Sequence, residues 1–144
     1  MQIFWGVVVA AIALLCWGGQ TIAWVAPYRG VRWRLIESPD DVEPIYWADI
    51  RGEGLWDAFT LWTMVVAGVL LAVDNAAWPY FGLVGGGMYV YFAGRGIATR
   101  WYMVRSGFRV GLPADLKVGV TALATWGVMG LAVIVAAATA LAGS

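Results

Sequence analysis

The chain has 144 residues, of which 62% are hydrophobic and 12% charged, and its formal net charge is zero. A soluble domain is about a quarter charged, so this chain lacks the polar surface to face water on all sides. That composition excludes a soluble globular protein and points to burial in a membrane, with lipids as the surrounding partner. Zero net charge also leaves attraction to nucleic acid without support, so no nucleic-acid partner is expected.

The absences narrow the chemistry. There is no His, which removes the commonest ligand for haem, zinc and copper and the commonest general base. A single cysteine, Cys16, excludes an internal disulfide and a CxxC pair. The triplet Gly85-Gly86-Gly87 lies inside an apolar stretch, where a phosphate would be unwelcome. No cofactor, metal or catalytic set is therefore expected, and bound lipid is the one ligand left open.

A spanning helix needs about 20 mostly apolar residues. Four stretches qualify, at about 3–26, 55–73, 76–98 and 118–142. The expected fold is an all-α integral membrane protein, a single domain built as a four-transmembrane-helix bundle. Pro27 stops the first span. Asp57 falls in the first turn of the second, where the helix dipole favours an acid. Pro79 is tolerated in the first turn of the third.

Two polar loops are expected, at about 27–54 and 99–117. In the first, Ser38-Pro39-Asp40-Asp41 carries a helix N-terminus signature, and Pro44 interrupts anything longer than about a turn. A short helix starting at Pro44 would put Tyr46, Trp47 and Ile50 on one face, to lie in the membrane interface. A docking surface for a soluble partner is the alternative. Gly52 and Gly54 would then release the chain into the second span.

All nine basic residues fall in these loops or at the end of the third span beside them: Arg29, Arg32, Arg34 and Arg51, then Arg95, Arg100, Arg105, Arg109 and Lys117. With four spans both loops share one side, so the positive-inside rule places them in the cytoplasm and both termini outside. Abundant Arg and Ala associate the chain with a bacterial inner membrane. If the third helix continued, Arg95, Arg100, Arg105 and Arg109 would point about 0°, 140°, 280° and 320° around its axis. They form no single stripe. Arg29, Arg32, Arg34, Arg100, Arg105 and Arg109 are therefore read as contacts to lipid headgroups.

Arg95 sits about 28 Å beyond Ala76 along the third helix, near enough to the interface to snorkel. Asp57 reaches a similar depth, and an Asp57–Arg95 ion pair is expected there. The loop acids Glu37, Asp40, Asp41 and Glu43 do not follow EF-hand spacing and are read as a solvated run offsetting Arg29, Arg32 and Arg34.

The remaining motifs concern packing. Gly82 and Gly86 form GxxxG in the third span, and Ala132, Ala136 and Ala140 form a small-residue ridge in the fourth. In lipid, close backbone approach drives helix association, so such faces ask for partners. The leading expectation is a non-catalytic accessory subunit of a larger membrane complex, packed against other integral membrane subunits through these faces. A homo-oligomeric transporter or channel is the alternative. Third comes an interfacial quinone- or lipid-binding enzyme subunit using Asp57, Arg95 and Tyr91.

Overall fold

Proline stands in the first turn of four of the six helices in the computed structural model, which describes residues 2–143. Its fixed φ suits a first turn, and the N–H it lacks would be unpaired there anyway. The helices are α1 (Gln2–Val25), α2 (Pro27–Arg32), α3 (Pro44–Thr60), α4 (Trp62–Ala72), α5 (Trp78–Arg105) and α6 (Pro113–Ala142). The described residues contain no strand. The fold is all helical.

Three stretches are long and apolar enough to cross a membrane: α1, the pair α3–α4 taken together from Pro44 to Ala72, and α6. The 28-residue α5 is not among them, because glycines, tyrosines and Arg95, Arg100 and Arg105 dilute its apolar run.

Neighbours pack antiparallel, with glycine at each seam. A Cβ on Gly68 of α4 would strike the backbone of Ala10 in α1. One on Gly85 would lie 2.7 Å from the Met64 nitrogen in α4, and one on Gly86 would lie 2.8 Å from the Gly130 carbonyl in α6. Lacking Cβ, these residues let the backbones close up, which is how helices hold one another where apolar burial offers little over lipid. The shared core contains Ala13, Cys16, Met64, Tyr89, Phe92 and Leu123. Tyr89 donates its hydroxyl to the Ala13 carbonyl at 3.0 Å, tying α5 to α1.

The connections are shorter than their polarity implied. α3 starts at Pro44, as expected, but passes through Gly52 and Gly54 without a break. Gly54 serves close approach instead: a Cβ there would lie 3.0 Å from the Gln20 carbonyl of α1. The expected loop of 27–54 therefore shrinks to a short helix and a turn segment. Ser38 starts no helix; residues 39–41 form a turn, and Ser38 Oγ accepts from the Asp40 amide at 3.4 Å. Likewise, α5 runs on to Arg105 and α6 begins at Pro113, so only residues 106–112 separate them.

These two short segments meet. Val42 and Val110 form an antiparallel bridge, and the Glu43 amide donates to the Arg109 carbonyl at 2.8 Å. Val42, Tyr46, Ile50 and Val110 are buried together, backed by Met103 and Leu116. The face carrying Tyr46 and Ile50 is thus covered by protein rather than laid against headgroups. The second basic segment supplies the apolar cover that the first segment lacks alone.

The break between α3 and α4 has a local cause. Thr60 donates to the Trp56 carbonyl at 3.0 Å, Trp62 Nε1 to Phe59 at 2.9 Å, and Thr63 to Thr60 at 2.8 Å. From α1, Trp17 Nε1 adds a bond to the Ala58 carbonyl at 2.8 Å. Side chains that compete for successive carbonyls bend a helix. The interruption, at Leu61, falls one turn beyond Asp57.

Candidate functional site

Because α3 is unbroken, Asp49, Glu53 and Asp57 recur every four residues and share one face. Across from them stands Arg95 of α5. Between the two helices lies a groove of about 760 Å³, lined by these four residues and by Trp56, Tyr91 and Phe92, with Met103 and Phe108 at its outer end. That volume is in the range of small-molecule sites. Ile45, Trp56 and Tyr91 are each at least 60% exposed along the groove, so it opens sideways, away from the bundle.

Arg95 does not pair with Asp57. Its Nη2 donates to Asp49 Oδ1 at 2.6 Å, and its Nη1 forms an ion pair with Glu53 Oε1 at 2.6 Å. The guanidinium fork thus spans two acids one turn apart, which a planar head with separate nitrogens can do. Asp57 lies one turn deeper than Glu53 and is left out. It is 5% exposed, its Oδ2 has no hydrogen-bond partner, and no ion pair reaches it among the described residues. An isolated buried carboxylate is costly in any fold, which makes Asp57 the feature of this groove that needs an explanation.

A second charged cluster gathers around Glu37, in the segment that joins α2 to α3. Glu37 is 8% exposed and accepts from the Tyr46 hydroxyl at 3.2 Å and from Arg100 Nη2 at 3.4 Å. Arg100 also lies over the Tyr46 ring, 5.6 Å from its centre. Gly111, at φ +112°, allows the chain to pass there, where a Cβ would meet Glu37 Cγ at 2.7 Å. Glu37 is therefore structural rather than part of a solvated acidic run.

The expected headgroup arginines divide. Arg29 and Arg32 are exposed. Arg34 pairs with Asp115 at 2.7 Å while staying open to solvent, and Arg109 pairs with Glu43 at 3.3 Å. Arg105 rests on Trp101, 4.7 Å from the ring centre. Arg100 is withdrawn from any headgroup, its side chain only 13% exposed and committed to Glu37.

The small-residue faces divide as well. Gly82 and Gly86 are buried against α6, where a Cβ on Gly82 would touch Ala137 and Val133 at 3.2 Å. The inward face of α6 is Gly130, Val133 and Ala137. Ala132 and Ala136 are offset from it and exposed, and Ala140 is half-buried.

No three His, Cys, Asp or Glu side chains among the described residues are grouped to hold a metal ion. The chain matches no family model, no curated protein and no solved structure. Asp57, Arg95 and Tyr91, marked in the sequence as an interfacial site, do meet in one groove. Asp49 and Glu53 were missed there, although their four-residue spacing to Asp57 was the available signal. Reading Gly52 and Gly54 as a helix break concealed it.

Proposed function

We propose that this protein is a four-span membrane protein that binds an amphipathic ligand in the lateral groove between α3 and α5. The supporting observation is the groove's two-part lining, a charged floor on Asp49, Glu53, Asp57 and Arg95 beneath exposed Trp56 and Tyr91. A ligand with one polar end and an apolar body matches that division. α5 counts as the fourth span because it lies antiparallel between α4 and α6, and a helix held between crossing neighbours crosses with them. All nine basic residues gather at the groove end of the bundle, so the positive-inside rule puts that end in the cytoplasm and both termini outside, in a bacterial inner membrane. The groove then opens at the cytoplasmic boundary of the hydrocarbon, where lipids and other amphiphiles have their heads.

Filling the groove tests this reading. A Cβ at Gly52 would meet nothing within 4 Å, so Gly52→Leu and Ala48→Trp place bulk in the groove without a backbone clash. Native mass spectrometry of the protein from gentle detergent should find an amphiphile on the parent chain and less on these variants. Equal retention by all three would overturn the proposal.

A second reading has its own observation. Ala132 and Ala136 present a small-residue face outward from α6, as a non-catalytic accessory subunit of a larger membrane complex would. That reading requires Ala136→Leu to release a co-purifying membrane subunit.

A further inference from the structure

The charges in the groove do not balance. Asp49, Glu53 and Asp57 oppose a single guanidinium, Arg95, and that guanidinium is already divided between the first two acids. Arg100, farther along α5, is turned to Glu37. What remains is Asp57, buried, with an oxygen that has no hydrogen-bond partner among the described residues, on the wall of a cavity large enough for a small molecule. In a region of low dielectric an ionised carboxylate there needs a positive charge close by. A metal ion is a poor candidate, since no third ligand is grouped with the acids. Trp56, Tyr91 and Phe92 line the same space, and aromatic faces attract organic cations.

We propose that the groove takes a lipophilic cation, an alkylammonium head lodged against Asp57 with its hydrocarbon part along Trp56, Tyr91 and Phe92. This rests on the reading of the groove as an amphiphile site and adds the sign of the ligand's charge. A proton competes with the cation for the Asp57 carboxylate. The titratable and charged groups around it are Glu53 and Asp49 on α3, Arg95, Tyr89 and Tyr91 on α5, and Cys16 on α1. Of these only Arg95 is a cation, and it is held by the other two acids. Binding should therefore weaken on acidification.

The experiment is calorimetric titration of the full chain in lipid nanodiscs, with empty discs as the partition control. The probes are dodecyltrimethylammonium, dodecyl sulfate and neutral dodecanol, each below its aggregation limit. We expect saturable, one-to-one binding of the ammonium alone, weakened more than about tenfold by Asp57→Asn and retained by Asp57→Glu, which keeps the charge. Should all three probes bind alike and Asp57→Asn bind as well as the parent, the amphiphile site stands and the cationic assignment is overturned. Saturable binding of none of them would overturn both. If Asp57→Asn does not fold, loss of ammonium binding at low pH in the parent chain serves as the decisive reading, and pH-independent binding counts against the proposal. Discs of phosphatidylglycerol and discs containing phosphatidylethanolamine separate the two sources of an ammonium head. Weaker binding of the added probe in the second identifies a bilayer aminolipid as occupant, and equal binding identifies a free cation.

Discussion

Arg95 and Asp57 line the same groove and should respond to mutation in opposite ways. Arg95 holds two acids with separate nitrogens. Arg95→Met leaves Glu53, which is only 10% exposed, without its counter-charge. We expect a loss of about 1–3 kcal/mol, below the range for fully buried pairs because Arg95 is partly open to solvent. Arg95→Lys keeps the charge but offers one ammonium for two carboxylates, so its melting temperature in a fixed detergent should fall between the two. Asp57→Asn, in contrast, removes a buried carboxyl that no protein cation balances, and it should unfold at the same temperature as the parent chain or higher. A residue that costs stability and makes no structural bond is characteristic of a binding site. A clear drop on Asp57→Asn in ligand-free protein would assign Asp57 a structural role.

At the scale of helices, the relevant property is which face of α5 and α6 turns inward. Gly86 is in contact with Gly130 and Ile134, whereas Ala136 faces out. Gly86→Leu should force the two helices apart and lower stability by about 1–3 kcal/mol through overpacking. Ala136→Leu should stay within about 0.5 kcal/mol, the range of ordinary exposed substitutions. Thermal unfolding of the two variants side by side separates an internal seam from an open face, and equal losses would contradict the packing described. The small-residue ridge was legible in the sequence, but its direction was not. Small residues recur on several faces of α6, and only contact with α5 selects Gly130, Val133 and Ala137 as the inner one.

For the whole molecule, the arrangement of helices predicts which residues share a side of the membrane. Arg51 and Arg105 lie at the groove end, while Asp74 is exposed in the turn between α4 and α5 at the other. In a Cys16→Ala background, Arg51→Cys and Arg105→Cys should react with an impermeant thiol reagent from one face, and Asp74→Cys from the other. Labelling of Asp74→Cys and Arg105→Cys from one face, with Arg51→Cys reacting from the other, would mean that α5 does not cross. The two loop segments also behave as one unit at this scale. The Val42–Val110 bridge and the Tyr46–Glu37–Arg100 contacts join the α2–α3 and α5–α6 connections. Tyr46→Phe should therefore cost about 0.5–1.5 kcal/mol, the net worth of one hydrogen bond, and should raise amide exchange in residues 106–112 as well as around Glu37.

Composition, the spacing of apolar runs and the placement of Arg determine by themselves that the chain is helical, apolar enough for a membrane, and basic at one end. Those properties are sums over many residues, so local misreadings average out. The prolines at 27, 44, 79 and 113 mark helix starts for a reason confined to one residue, the fixed φ. The partners of Arg95, the internal role of Gly82 and Gly86, and the burial of Glu37 were decided only by tertiary structure. Each depends on a neighbour distant in the chain: Arg95 is 46 residues from Asp49, and Arg100 is 63 from Glu37. Whether Gly54 breaks a helix or lets α1 approach is likewise not a property of glycine alone. It is settled by the Gln20 backbone that lies against it.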